Sequence, residues 1–205
     1  MNKVLVINSG ISGEQSQSNQ LTETFIKVLK ANDSDAKVNV RDLVSDNLPH
    51  LSGPEMQAWM TDAKLRTAEQ AELAALSDDL LDELFDHDTI VLGMPLYNLG
   101  VPSVFKAYID RISRAGKTFS YSEAGPKGLV LGKKVIVLAA RGGQYQGSEH
   151  DSQTAYLKSV WGLMGVTDIE FVYAEGLNMS AEIADSALAK AREKISRLAA
   201  GAGEQ

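Results

Sequence analysis

Thr89-Ile90-Val91-Leu92-Gly93-Met94-Pro95-Leu96-Tyr97-Asn98 runs from an unbroken apolar segment straight into a loop carrying a proline, an aromatic ring and an amide. A short apolar run bounded by turn residues suits a strand buried on both faces, and such strands belong to parallel sheets covered by helices. The loop then lies at the strand's carboxyl end, and in open α/β sheets ligands bind in the crevice outside those ends. Proline stiffens the loop, Tyr97 offers a flat ring, and Asn98 offers both a donor and an acceptor. The stretch is equally a plain proline turn or the platform for a ring-shaped ligand.

Working outward, Pro102 suits a first helical turn, Phe105, Tyr108, Ile109 and Ile112 share one face, and Gly116 suits the carboxyl cap. On the other side, Thr67 and Gln70 form a capping box opening a helix whose Leu73, Leu76, Leu80 and Leu84 make a stripe ending near Asp86. A buried strand is expected over 3–7, then a polar loop, then a helix from about Ser18 with Leu21, Phe25, Val28 and Leu29 on one face. A second strand fits 37–43. Residues 44–66 form a long connection broken by Pro49, Gly53 and Pro54, and 117–132 a turn-rich insertion carrying Phe119 and Tyr121. A strand over 134–140, a helix over 153–165, a strand over 169–174 and a helix over 180–199 follow, with residues 201–205 expected to fray. Five strands alternating with five helices predict an α/β fold: one domain over 1–205, with a doubly wound five-stranded parallel sheet and helices on both faces.

Composition narrows the function. Twenty basic against 27 acidic residues leave a net charge of -7, which argues against nucleic acid or an anionic membrane as partner. The absence of cysteine removes thiol catalysis, disulfides and iron–sulfur ligation, so redox chemistry would need a bound cofactor. No segment approaches the ~20 apolar residues of a membrane span and the amino-terminal apolar run is short for a signal peptide, so a cytoplasmic protein is expected. His50, His87 and His150 are scattered without metal-ligand spacing, and no G-x-S-x-G elbow is present. Asp78, Asp79, Asp82, Glu83, Asp86 and Asp88 suit a solvated helix flank.

Two further strand-end loops accompany the first. Ser9, Gly10, Ser12, Gly13, Ser16, Gln17, Ser18 and Asn19 combine small residues, hydroxyls and a following helix, the elements of an anion cradle, although one serine acting as a helix cap also accounts for part of it. Neither G-x-G-x-x-G nor G-x-x-x-x-G-K-[ST] occurs, so a mononucleotide such as FMN fits better than a dinucleotide or ATP. Ala140-Arg141-Gly142-Gly143 lets backbone approach a ligand or simply turn, with Arg141 either solvated or balancing the charge of a reduced flavin.

Together with Arg41-Asp42-Leu43, Arg114-Ala115-Gly116, Thr118-Phe119 and Ala174-Glu175-Gly176, these loops resemble the FMN-dependent NADH-azoreductases, which also act as NAD(P)H:quinone oxidoreductases, over essentially the whole chain. The resemblance implies a flavodoxin-like fold with strand order 2-1-3-4-5 and a homodimer with one FMN per subunit at its interface. It implies NADH or NADPH as donor and a quinone or azo acceptor, used in ping-pong order from one slot, with no catalytic side chain because the cofactor carries the chemistry. It assigns Ser9, Ser16, Gln17 and Ser18 to the phosphate and ribityl end. Leu96, Tyr97, Asn98 and Leu99 would line the isoalloxazine, and Ala140, Arg141, Gly142 and Gly143 would meet its polar edge through backbone groups. Tyr121, Tyr145 and Met60 would shape the substrate pocket. Gly10, Leu99, Tyr145 and Met60 depart from the serine, aromatic, histidine and arginine found among relatives, which leaves substrate preference open. The rival readings are a non-enzymatic flavodoxin-type electron carrier and a flavin-bound regulatory protein. The two long insertions suit a walled pocket better than a carrier's exposed cofactor edge.

Overall fold

The apolar runs alternate their side chains between two helical layers. In the computed structural model, which describes residues 3–202, seven strands form: β1 Lys3–Asn8, β2 Lys37–Asp42, β3 Thr89–Pro95, β4 Phe119–Ser122, β5 Gly125–Gly128, β6 Lys134–Ala140 and β7 Asp168–Ala174. Five of them make one parallel sheet in the order β2-β1-β3-β6-β7, which is the expected 2-1-3-4-5 once the separate β4-β5 hairpin is set aside. Six α-helices accompany them: α1 Gln17–Asn32, α2 Gly53–Met60, α3 Ala68–Asp86, α4 Ser103–Ile112, α5 Ser152–Met164 and α6 Ala181–Ala202.

Successive side chains on a strand point to opposite faces, so each central strand feeds two cores. Leu5, Ile7, Ile90, Leu92, Met94, Val135 and Val137 pack with α3, α4 and α5, through side chains such as Leu80, Phe105, Tyr108 and Trp161. Val4, Val6, Val91, Ile136 and Leu138 pack with α1 and α6, through Leu21, Phe25, Leu29 and Ile195. The Thr67–Gln70 capping box forms in both directions, as its spacing requires.

Several expectations need correction. Gly53 and Pro54, read as breakers, begin a sixth helix: Ser52 caps α2 by accepting from Glu55 N–H, and proline is tolerated in a first turn because its missing N–H has no intrahelical partner there. The 117–132 insertion is not merely turns, since Phe119–Ser122 and Gly125–Gly128 pair as an antiparallel hairpin. Helix α4 stops at Ile112 with Ser113 as its cap, and Gly116 instead takes φ +81° in the turn that follows. Helix α6 continues through Gly201 to Ala202; the remaining tail, 203–205, lies outside the described residues. No helix among the described residues is long and apolar enough to cross a membrane.

Candidate functional site

Three loops meet at the carboxyl end of the sheet. The first joins β1 to α1. Ser16 holds the N-cap position of α1 with extended backbone, yet its side chain makes no capping bond; Ser16 Oγ pairs instead with Ser18 Oγ at 2.9 Å. The first-turn N–H groups therefore keep their donor capacity, and they carry the positive end of the helix dipole. Gln17 Oε1 and Asn19 Oδ1 are buried acceptors with no partner among the described residues. Position 10 must be glycine for this arrangement, because a Cβ there would stand 2.0 Å from Ser16 Oγ. Gly93 does the same at β3: a Cβ would meet Thr22 Cγ2 at 3.0 Å and Ser18 O at 3.2 Å, so its absence lets α1 close on the strand end. Ser9, expected at the phosphate and ribityl end, commits its side chain to a neighbouring strand. It is fully buried, and its hydroxyl donates to Gly93 O at 2.7 Å, tying β1 to β3.

The second loop follows β3. Tyr97 and Gly100 exchange both backbone hydrogen bonds (3.2 and 2.9 Å), which puts Asn98 and Leu99 at the tip of a two-residue turn with φ +49° and +62°. Positive φ at both central residues defines a type I′ turn, favoured by Asn at the first position and unfavourable for Leu at the second. A strained residue at a strand end is a mark of a functional site. The Tyr97 hydroxyl accepts from Ile11 N–H at 3.1 Å, joining this loop to the serine loop. Ile11, Leu96, Tyr97, Asn98 and the first turn of α4 line a cavity of about 660 Å³.

The third loop follows β6. Ala140 O accepts from Leu96 N–H at 3.1 Å, and the carbonyls of Arg141, Gly142 and Gly143 accept from Leu177, Asn178 and Gly176. The N–H groups of Gly142 and Gly143 make no hydrogen bond among the described residues. Gly142 leaves room for the Asn178 side chain, whose Nδ2 would stand 2.5 Å from a Cβ at that position. The Arg141 side chain is not free to balance a ligand's charge. It is 1% exposed, bonded to Asp151 (2.9 Å) and Glu175 (3.0 Å), and stacked 4.8 Å from the Tyr173 ring centre. Burial pushes the Asp151 carboxyl up, but Arg141 and Thr154 more than offset this and hold it below the usual carboxylate range. Gln153, Asp151 and Glu175 were not assigned roles by sequence reasoning. The acidic residue just before the α5 pattern and the Ala174-Glu175-Gly176 segment are the signals that point to two of them.

Tyr121 and Met60 come together, while Tyr145 does not join them. Tyr121 and Met60, 77% and 71% exposed, share a cleft of about 430 Å³ with Met56, Trp59 and Phe119, whose ring meets Tyr121 edge-on at 5.5 Å. Tyr145 packs instead over Gly143, where a Cβ would stand 2.9 Å from its ring. The cleft wall is held by charge. Arg111, fully buried, binds Glu55 of α2 through Nε (2.7 Å) and Nη2 (2.9 Å). Arg114 lies 5.2 Å from the Trp59 ring centre, and Asp78 accepts from Arg114 (2.6 Å) and Arg66 (2.8 Å). Burial raises the Asp78 carboxyl, but the two guanidinium groups prevail and hold it below its ordinary range. Asp78 is thus a tie across helices and not only part of a solvated flank.

Glycine-assisted loops at adjacent parallel strand ends, one opening a helix, define a flavodoxin-like protein, and the family described as Flavodoxin-like fold matches residues 2–199. The chain is 52% identical over 198 residues to the FMN-dependent NADH:quinone oxidoreductase of Pseudoalteromonas atlantica, covering 97% of this chain and 98% of that one. Its structure superposes on an azoreductase from Bacillus anthracis str. Sterne with TM-score 0.90 at 32% identity, covering 98% and 100% of the two chains. An FMN-dependent NADH-azoreductase from Bacillus anthracis str. Ames Ancestor, solved in complex with FMN, superposes with TM-score 0.85 at 27% identity over 97% and 100%. The chain belongs to the flavodoxin-like family of FMN-dependent NADH:quinone oxidoreductases and azoreductases.

Proposed function

We propose that this protein is an FMN-dependent NAD(P)H oxidoreductase that reduces quinones and aromatic azo compounds by two-electron, ping-pong transfer. The observation that carries the reading is the uncapped first turn of α1, with buried acceptors beside it and glycine N–H groups two strands away that find no partner among the described residues. The residues fit FMN. First-turn N–H groups with the Ser16 and Ser18 hydroxyls supply donors for a phosphate, and Gln17 Oε1 and Asn19 Oδ1 supply acceptors for ribityl hydroxyls. Leu96, Tyr97, Asn98 and Leu99 would flank the ring, and the N–H groups of Gly142 and Gly143 would turn partial positive charge toward its polar edge.

When bound, FMN supplies the redox chemistry, accepting two electrons from NADH and delivering them to the acceptor. The protein's residues bind and orient; no side-chain nucleophile is required. One slot serving donor and acceptor in turn accounts for a chain without a dinucleotide fingerprint. Large apolar side chains left in solvent around the crevice and cleft, Ile11 at 64% and Tyr121 at 77% exposure, support a homodimer with one FMN per subunit at its interface. We place the enzyme in the cytoplasm.

The test is direct. Purified protein should be yellow and should oxidise NADH in the presence of menadione or methyl red. Colourless protein that neither binds added FMN nor oxidises NADH overturns the reading. Parallel assays with NADPH and a quinone panel give the donor and acceptor preference.

A further inference from the structure

We infer that Gln153 is a positioning residue that sets the spacing of the two loops flanking the flavin, holding the 95–100 loop with one end of its amide and Arg141 with the other. The inference rests on the flavin reading above. Gln153 opens the second position of α5 and is fully buried. Its Nε2 donates to Pro95 O at 2.8 Å and Gly100 O at 3.4 Å, and its Oε1 accepts from Arg141 Nε and Nη2, both at 3.3 Å. The carbonyls can only accept and the guanidinium can only donate, so the amide has a single orientation. Methionine matches glutamine in length but lacks both functions, and glutamate lacks the donor.

The bonds continue on both sides. Arg141 also binds Glu175 (3.0 Å), whose Oε1 accepts the backbone N–H of Tyr145 (2.9 Å) and Gln146 (3.0 Å), just past Gly143. On the other side, the Ser152 hydroxyl donates to Leu99 O at the tip of the strained turn. Beside the backbone bond between the two strand ends, Leu96 N–H to Ala140 O at 3.1 Å, Gln153 adds a side-chain bridge between the loops. The loop held at one end carries Tyr97 and Asn98, and the loop held at the other carries the N–H groups of Gly142 and Gly143, which make no hydrogen bond among the described residues. Moving either wall changes the distance from these donors to the cofactor's polar edge, so both cofactor affinity and its electron affinity should respond.

The experiment titrates the apoproteins of wild type, Gln153→Met and Gln153→Glu with FMN and measures the midpoint potential of each loaded protein. Gln153→Met removes the amide bonds to Pro95 O and Gly100 O and leaves Arg141 Nε without its acceptor, and should weaken FMN binding about tenfold or more, with a shifted potential. Gln153→Glu keeps the Arg141 end, turns a carboxylate toward two carbonyls, and should shift the potential to more negative values. A folded Gln153→Met protein with unchanged FMN affinity and potential, whatever its melting temperature, overturns the inference. Should that variant fail to fold, Gln153→Glu decides it on the same two readouts. Wild-type protein that binds no FMN overturns the flavin reading and this inference together, whereas wild-type binding with unaltered variants overturns this inference alone.

Discussion

Leu99 is the residue whose backbone works against its side chain. Its φ of +62° at the second position of a type I′ turn is a conformation that glycine adopts freely and leucine resists, at a cost of roughly 1–2 kcal/mol. The turn persists because Tyr97 and Gly100 pair on both sides and Ser152 holds the Leu99 carbonyl. A Leu99→Gly variant should therefore be more stable by about 1 kcal/mol, a rise of roughly 2–4 °C in Tm for a chain of this size. Because the leucine side chain is 43% exposed beside the crevice, the same change should alter KM among quinones. Thermal melts and steady-state kinetics check both, and an unchanged or lower Tm would remove the strain argument.

At the scale of elements, the wall of the Tyr121–Met60 cleft depends on an ion pair from the short helix α2 to α4 and on Arg66 and Arg114, which bind Asp78 of α3 and donate to Trp59 O of α2. An eight-residue helix is too short to be stable alone, so the Glu55–Arg111 and Asp78–Arg114–Arg66 contacts, with Trp59 against Arg114, keep it in place. The lowered Asp78 carboxyl gives a pH signature. A carboxylate whose folded pKa lies below its unfolded value of about 3.9 stabilises the fold above that value, and the contribution is lost as pH falls through the folded pKa. Asp78→Asn should have the lower Tm at pH 7, and the gap to wild type should close as pH drops below about 4. Melts taken from pH 7 to pH 2.5 test this, and a gap that stays constant over that range counts against the ion-pair explanation.

For the whole molecule, the crevice is bounded by three loops that share few bonds with one another, so a ligand touching all three should act as a clamp. A ligand that binds only the folded state stabilises it by about 2.7 kcal/mol when present at 100 times its Kd. FMN at that excess should raise Tm by roughly 5–10 °C, with the increment growing as the logarithm of its concentration. Differential scanning calorimetry of apoprotein against an FMN series measures it. FMN that leaves Tm unmoved would mean that the folded protein does not bind it.

Much of the architecture was legible in the chain because its signals are local. Apolar runs such as 89–92 and 134–140 become central strands, and Thr67 with Gln70 caps α3, since burial periodicity and capping depend on neighbours a few positions away. Gly53-Pro54 misled for a local reason too: the same pair that breaks a helix interior suits its first turn, and only the Ser52 cap distinguishes the two. The order of the three strand-end loops and the residue types proposed here for flavin binding were determined by the sequence alone. Which side chains face the crevice was decided by tertiary structure. Ser9 turns inward to Gly93, Arg141 is drawn away by Asp151 and Glu175, and Gln153 is recruited from a helix to join two loops. The physical reason is that a side chain's direction at a strand end is set by partners separated in sequence by 84 residues for Ser9 and 34 for Arg141 with Glu175, and no local pattern encodes such partners.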